Sequence, residues 1–300
     1  MARLYPTVYF RGKLVPESEA QLSVASSAVL YGLSVYTVFH VAVKASNFYA
    51  FRLPDHYQRL LDSCKIIGID AFDKEYSYNA FKKIMAKLVA ANQPTENVFV
   101  RVSLHVDEKI PGTRSRGLTT VLSAFMYEAV PIVPREGVRL KTSVWRRTPD
   151  FSIPSRAKVN GAYVNSVLAR QDAIDSGYDD CIFLDSLGHV AELSAANIFV
   201  VRNGVLLTPG HNADILEGIN RRTVLEIAAS LGVATDERSI DLTELYIADE
   251  VFVTGTSAFL SPVTTIDSRP IHHGPITKML TTAYQDALLD PQKSTYLEML

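Results

Sequence analysis

The sequence predicts a mixed α/β protein of two domains, 1–127 and 134–300, joined by an interdomain linker at 128–133. Three observations lead there. In the first part, short runs rich in Val, Phe and Tyr read as strands, interrupted by two stretches with helical apolar spacing. The segment from Glu128 to Gly137 contains Pro131 and Pro134 and reads as a connection. Beyond it, strand-like and helix-like stretches alternate, the mark of an α/β arrangement.

Taken in order, Val8 to Val15 carries apolar and aromatic residues on both sides of Arg11-Gly12-Lys13 and predicts a hairpin. Ser34 to Val43 predicts a strand, Asn47 a turn, and Phe48 to Phe51 a second strand. Pro54 opens a helix with Leu60, Leu61 and Cys64 on one face and Gly68 as its stop. A second helix covers about Tyr78 to Ala91. Val98 to His105 and Thr119 to Phe125 read as strands, separated by the long polar loop Asp107 to Gly117. Loops of that length carry function or move. After the linker, Val138 to Ser143 is a strand. Tyr163 to Ser176 is a helix with apolar residues at 164, 167, 168 and 174, stopped by Gly177. Asp180 to Asp185 and Ala196 to Val201 are strands flanking a turn at Gly188. A helix at Asn220 to Leu231, a strand at Val251 to Thr254 and a helix at Ile276 to Leu289 complete the pattern.

Composition narrows the function classes. With 300 residues and 47% apolar content, the chain can bury a sizeable core. A formal net charge of −2 argues against nucleic acid as the main partner. The two cysteines, Cys64 and Cys181, lie in unrelated segments without a CxxC or a histidine-rich neighbour. Neither a disulfide scaffold nor a metal site is expected, and a reducing compartment suits them. Met1 to Pro6 shows no secretory leader. The longest apolar stretch, Ala28 to Val43, is broken by Tyr31, Gly32, Ser34, Tyr36, Thr37 and His40, so no membrane span is expected. A soluble cytoplasmic protein is the reading.

Four segments could carry chemistry. In Arg156-Ala-Lys158-Val-Asn-Gly-Ala-Tyr163, a lysine precedes a glycine and a helix start. A nucleophilic lysine must be held in place and kept neutral, and the positive end of a helix favours that. Glu192 sits among small and apolar residues, where a carboxylate needs a cationic partner, such as a protonated ring nitrogen. Leu216-Glu-Gly-Ile219-Asn220 opens an amphipathic helix whose first N–H groups could bind an anion. Thr254-Gly-Thr256-Ser257-Ala258 places small hydroxyl residues after a strand, where phosphate or carboxylate could bind. Each also has an ordinary explanation: a solvated lysine, a structural salt bridge, a plain turn–helix junction, a strand end.

Their order and separation make the difference. Leu30-Tyr-Gly-Leu-Ser-Val-Tyr36, Phe51-Arg-Leu-Pro-Asp-His-Tyr-Gln-Arg59-Leu, Ala157-Lys-Val-Asn-Gly-Ala-Tyr-Val-Asn-Ser166, Ala191-Glu192, Asn197-Ile-Phe, Asn203-Gly-Val-Leu-Leu-Thr-Pro209, Gly218-Ile219, Ala248-Asp-Glu-Val-Phe252 and Gly274-Pro-Ile-Thr-Lys278 run over almost the whole chain. Together they resemble the branched-chain amino-acid aminotransferases, class IV, fold-type IV enzymes that use pyridoxal 5'-phosphate (PLP).

The resemblance implies a D-amino-acid-aminotransferase-like fold and a role for each matching residue. Lys158 carries PLP as a Schiff base and shuttles a proton. Tyr163 bonds the cofactor's 3' oxygen, and Glu192 keeps its pyridine nitrogen protonated. Leu216 packs on the ring. Arg59, Ile219, Asn220 and Thr256 hold the phosphate; the family usually has Thr where Asn220 stands, and an amide can still donate.

The substrate side, drawn from Tyr31, Tyr36, Phe99, Arg101, Arg114, Ser257 and Ala258, departs from the family. Tyr36-Thr37-Val38-Phe39-His40 replaces Phe-Glu-Gly-Ile-Arg, and Phe99-Val-Arg101-Val102 replaces Tyr-Ile-Arg-Pro. The tyrosine hydroxyl is therefore missing at 99. The loop Pro111-Gly-Thr-Arg114-Ser-Arg116 is similar to that of (R)-selective amine transaminases, which makes Arg114 a candidate for a carboxylate. The expected reaction moves an amino group from a branched-chain-like L-amino acid to a 2-oxo acid, 2-oxoglutarate or pyruvate, by a ping-pong cycle. The alternatives are an (R)-amine or D-amino-acid transaminase and an aminodeoxychorismate-type lyase. The family further implies a homodimer with shared active sites between the two domains. Residues around Tyr31 and the 107–117 loop would reach in from the other subunit.

Overall fold

The computed structural model describes residues 2–70, 72–134 and 136–300. Met1 and Arg135, which fall in segments read above as the N-terminus and the connection, lie outside them. The chain forms two compact units. One holds Met1–Val130, Ala157–Ala162 and Ala287–Leu300; the other holds Pro131–Arg156 and Tyr163–Asp286.

The first unit opens with a hairpin, β1 (Thr7–Phe10) and β2 (Lys13–Pro16), turning at Arg11-Gly12. A short helix, α1 (Ser27–Leu30), precedes the long strand β3 (Ser34–Lys44). The turn into β4 (Asn47–Phe51) is made one step before the expected Asn47, by Ala45 and Ser46 at positive φ. Helix α2 (Leu53–Ile67) follows and ends at Gly68; α3 (Phe72–Glu75) is a single turn that the sequence did not signal. Then come α4 (Tyr78–Asn92) and the paired strands β5 (Val98–Val106) and β6 (Thr120–Glu128).

Antiparallel register sets Tyr36 opposite Ser103, Val38 opposite Arg101 and His40 opposite Phe99. Because strand side chains alternate, Tyr36, Val38, His40, Phe99 and Arg101 share one face of the sheet. The opposite face carries Val35, Phe39, Val41, Val100 and Val102, packed with Leu60 of α2 and Phe81, Met85 and Leu88 of α4. Thr37 belongs to that second face by the same alternation. The buried stripe of α2 is Leu53, His56, Leu60, Ser63 and Cys64, so two polar residues enter the core there.

The second unit begins with β7 (Val138–Arg146) and, after the first unit's Ala157–Ala162 segment with its short 3-10 turn at Asn160–Ala162, continues with α5 (Tyr163–Asp175). Strand β8 (Asp180–Leu184) turns at Gly188 into β9 (Val190–Leu193), a strand missing from the sequence reading, which joined that turn directly to Ala196. Next are β10 (Asn197–Arg202), β11 (Val205–Pro209), α6 (Ile219–Ser230), β12 (Thr235–Arg238) and α7 (Leu242–Tyr246). Finally come β13 (Glu250–Gly255), β14 (Phe259–Ile266), β15 (Arg269–Pro270) and α8 (Pro275–Leu289). The sheet runs β12-β11-β10-β13-β14-β7-β8-β9, with β15 beside β14; it mixes parallel and antiparallel pairs around a Val, Ile and Leu core. A last strand, β16 (Leu297–Met299), pairs with β4 and gives the first unit's sheet the order β16-β4-β3-β5-β6-β1-β2.

One amphipathic reading is inverted. The apolar residues of α5 at 164, 167, 168 and 174 point outward, with Val164 at 64% and Val167 at 65% exposure, while Ser166, Ala169 and Ala173 are buried. Small side chains let the helix sit close on β7 and β8, and its large ones are left facing away. Among the described residues, no helix is long and apolar enough to cross a membrane. Neither cysteine forms a disulfide, and both are buried. Burial first, then the charge of Asp180, pushes the Cys181 thiol up, which marks it as inert.

Candidate active site

In the first unit the chemistry gathers around Lys158. Its segment runs against the start of β3: Val159 bridges Val35, and the Tyr36 amide donates to the Lys158 carbonyl at 3.0 Å. The Lys158 amide in turn donates to Ser63 Oγ at 3.0 Å, and that hydroxyl donates to the Arg59 carbonyl at 2.7 Å. One buried serine thus locks the backbone of Arg59 to that of Lys158. The Lys158 amine lies over the Tyr36 ring, 4.9 Å from its centroid. The Arg101 guanidinium lies over the same ring at 3.6 Å and donates to Asn160 Oδ1 at 2.9 Å. Asn160 is fixed through its amide, which donates to Ser34 Oγ at 2.7 Å. Sheet alternation explains the grouping: Tyr36 and Arg101 sit on one face, and Arg59 reaches Thr37 on the other, donating to its Oγ1 at 3.3 Å.

In the second unit a carboxylate is the centre. Glu192, on β9, is buried and paired with Arg147 at 2.9 Å. Asn197 Nδ2 donates to it at 3.1 Å, and the Leu216 amide donates to both its oxygens at 3.2 Å. Arg147 is itself aligned by donating to the Asp214 carbonyl at 3.1 Å. Asn197 also donates to the Leu216 carbonyl at 3.0 Å, which closes a ring of contacts around the acid. Gly218 belongs to this construction: a Cβ there would stand 2.0 Å from Asn197 Oδ1.

The start of α6 suits an anion. Its N-cap is Gly218, and no side chain caps its first amides. Asn220 Nδ2 donates to Thr256 Oγ1 at 3.3 Å, leaving Asn220 Oδ1 buried without a hydrogen-bond partner. Turning that amide over would let Thr256 donate to Oδ1 and place the Nδ2 donors where the partnerless oxygen stands. Amides, an amide side chain and a hydroxyl form a donor set that fits a phosphate. Tyr163 is the first residue of α5 and partly buried.

The remaining sequence candidates are scattered. Phe99 is fully buried, edge-on to His40 with ring centroids 5.8 Å apart. Tyr31, at the end of α1, is exposed, and Arg114 is exposed in the long loop. Ser257 is partly buried and Ala258 fully so, just before β14. Sequence reasoning missed Arg147, Thr37, His56 and Ser63, and gave no role to Asn197. A polar residue in the buried stripe of α2 was the available signal for His56 and Ser63. Nothing local marked Arg147, whose importance comes from Glu192, 45 positions further along the chain.

Fold and side chains together give a mixed α/β protein with a lysine and an arginine fixed in one unit and a pinned carboxylate and an uncapped helix start in the other. The class IV amino-transferase family model matches residues 34–266. A probable branched-chain-amino-acid aminotransferase of Aquifex aeolicus is 37% identical over 287 residues, covering 93% of this chain and 91% of that protein. The branched-chain-amino-acid aminotransferase of Pseudomonas aeruginosa is 34% identical over 286 residues, covering 93% and 92%. Among solved structures, the branched-chain aminotransferase of Thermoproteus uzoniensis with norvaline superposes with a TM-score of 0.94 at 37% identity, covering 98% of this chain and 99% of that one. The PLP form of the Thermobaculum terrenum enzyme gives 0.90 at 29% identity, covering 99% and 98%. The chain belongs to the class IV aminotransferase family.

Proposed function

We propose that the enzyme is a PLP-dependent transaminase moving an amino group from a branched-chain-like L-amino acid to a 2-oxo acid, 2-oxoglutarate or pyruvate, by a ping-pong cycle. The observation that carries this reading is the buried Glu192 carboxylate, held by Arg147, Asn197 and the Leu216 amide. A carboxylate pinned in that way is the partner a protonated ring nitrogen needs. The relatives reported above favour the branched-chain reading over the amine, D-amino-acid and lyase alternatives.

When bound, PLP supplies an aldehyde that takes up the amino group and a ring that draws electrons from the substrate Cα. Lys158 Nζ attaches the cofactor and moves the proton at Cα. Glu192 holds the proton on the ring nitrogen, Tyr163 bonds the 3' oxygen and Leu216 packs against the ring. Arg59, the amides of Ile219 and Asn220, and the Thr256 hydroxyl hold the phosphate. Tyr31, Tyr36, Phe99, Ser257 and Ala258 bound the substrate. Arg101 is the carboxylate ligand within this chain, because it shares the Tyr36 ring with Lys158, whereas Arg114, exposed here, would act only in the site of a second subunit. A bidentate guanidinium–carboxylate pair suits that role.

Assembly as a homodimer is part of the same reading. The outward apolar residues of α5, Val164 and Val167 among them, and Val144 and Trp145 at the end of β7 are exposed, and solvent-facing apolar area of this kind marks an interaction surface. A cytoplasmic location accords with two buried cysteines that form no disulfide.

The test is a half-reaction. Holoenzyme without acceptor is mixed separately with L-leucine, D-alanine and (R)-1-phenylethylamine, and the absorbance band of the bound cofactor is followed. Rapid bleaching by L-leucine alone is expected. Bleaching by the amine or by D-alanine instead would overturn the substrate assignment. Lys158→Ala should keep weak PLP binding and lose nearly all transamination; near-normal turnover in that variant would remove the assignment of Lys158.

A further inference from the structure

We propose that Thr37, braced by His56, is a positioning residue for Arg59, so that phosphate recognition in this chain depends on one buried hydroxyl. The inference rests on the reading of Arg59 as a phosphate ligand.

Thr37 is fully buried on the core face of β3, between Val35 and Phe39, where every neighbour in register is apolar. A hydroxyl in such a place is costly unless it is hydrogen-bonded. Its bonds go to two residues of α2: Arg59 Nη2 donates to Oγ1 at 3.3 Å, and His56 Nδ1 lies 2.7 Å from the same oxygen. His56 and Arg59 are one helical turn apart, so a single hydroxyl ties that turn to the strand. The His56 ring is held in turn against Phe39, with centroids 5.7 Å apart.

The arrangement addresses a specific problem. An arginine side chain is long and rotamer-rich, and a guanidinium grips a phosphate well only when its plane is fixed. Threonine is β-branched and stiff at χ1, so its hydroxyl direction is set by the strand. Ser63 holds the backbone of Arg59 from the other end, through the Arg59 carbonyl. The head and the base of the side chain are therefore each anchored. Thr37 also stands where the branched-chain pattern carries glutamate. A neutral hydroxyl orients the guanidinium without cancelling its charge, leaving that charge for a dianion.

Full-length apoenzyme is titrated with PLP and with pyridoxal, which lacks the phosphate, and binding is followed by quenching of protein fluorescence. Thr37→Val should weaken PLP binding about tenfold and leave pyridoxal binding unchanged. Thr37→Ser, which keeps the hydroxyl, should bind PLP like the parent protein. In an Arg59→Ala background, Thr37→Val should add little further loss. His56→Phe, which keeps a ring beside Phe39 and removes Nδ1, is the second probe and should show a smaller loss confined to PLP. Equal weakening of PLP and pyridoxal, an unchanged PLP affinity in Thr37→Val, or a loss in Thr37→Ser as large as in Thr37→Val would overturn the proposal. An Arg59→Ala protein with parental PLP affinity would instead sink the phosphate reading of Arg59 itself.

Discussion

Glu192 shows how much a single residue depends on others. Its carboxylate is buried, and three donors from distant parts of the second unit converge on it. Removing one partner of a buried pair leaves an uncompensated charge, which costs about 3 kcal/mol or more. Arg147→Gln should therefore lower the melting temperature of the apoenzyme, whereas Arg222→Gln, at a half-exposed helix-surface pair, should barely change it. His105 gives a second prediction at this scale. Burial first, then the nearby charge of Arg101, pulls its pKa down to about 4. Between that value and the ordinary histidine pKa near ~6.5, the unfolded chain binds the proton that the folded one refuses. Stability contributed by neutral His105 is thus complete above pH ~6.5 and is lost as pH falls toward 4. His105→Gln should flatten the pH dependence of thermal stability across that window, and an unchanged slope would remove His105 as its source.

Among the elements, α5 and α8 carry the clearest consequences. The sequence marks α5 as a helix with apolar residues at 164, 167, 168 and 174, but their spacing cannot say which way those residues face. Here Ser166, Ala169 and Ala173 face the sheet. If the homodimer proposed above forms through this face, Val167→Asp should leave monomers in light scattering while preserving the circular dichroism of the fold; a parent protein that is monomeric, or a variant that stays dimeric, would exclude this face. Helix α8 explains two of the segments that carry the family resemblance. Buried Glu250 accepts from the amides of Ile276 at 3.1 Å and Thr277 at 2.6 Å, capping the helix start from a neighbouring strand. A Cβ on Gly274 would lie 2.2 Å from Glu250 Oε1, so the glycine is required by the approach of that carboxylate. Ala248 to Phe252 and Gly274 to Lys278 are thus one structural device. Glu250→Ala should cost about 2 kcal/mol of stability, read as a denaturation midpoint, with little effect on cofactor affinity.

For the whole molecule, the sequence alone determined the mixed α/β class and most of the elements, and the segments that carry the family resemblance singled out Lys158, Glu192, Arg59 and the helix start near Ile219 as candidates. These are local properties. Strand and helix periodicities, turn residues, and a lysine or glycine in a distinctive neighbourhood are all written in contiguous stretches. Tertiary structure decided what those residues touch. It drew Ala157–Ala162 into the first unit, although the sequence on both sides belongs to the second. It linked Ser63 to Lys158 across 95 positions and set Arg147 against Glu192. It turned the apolar face of α5 outward, and it gave Thr37 its place under Arg59. The physical reason is the same in each case: a buried polar group must find a partner wherever the chain returns to it, and sheet register and helix packing choose that partner without leaving a periodic trace in the sequence.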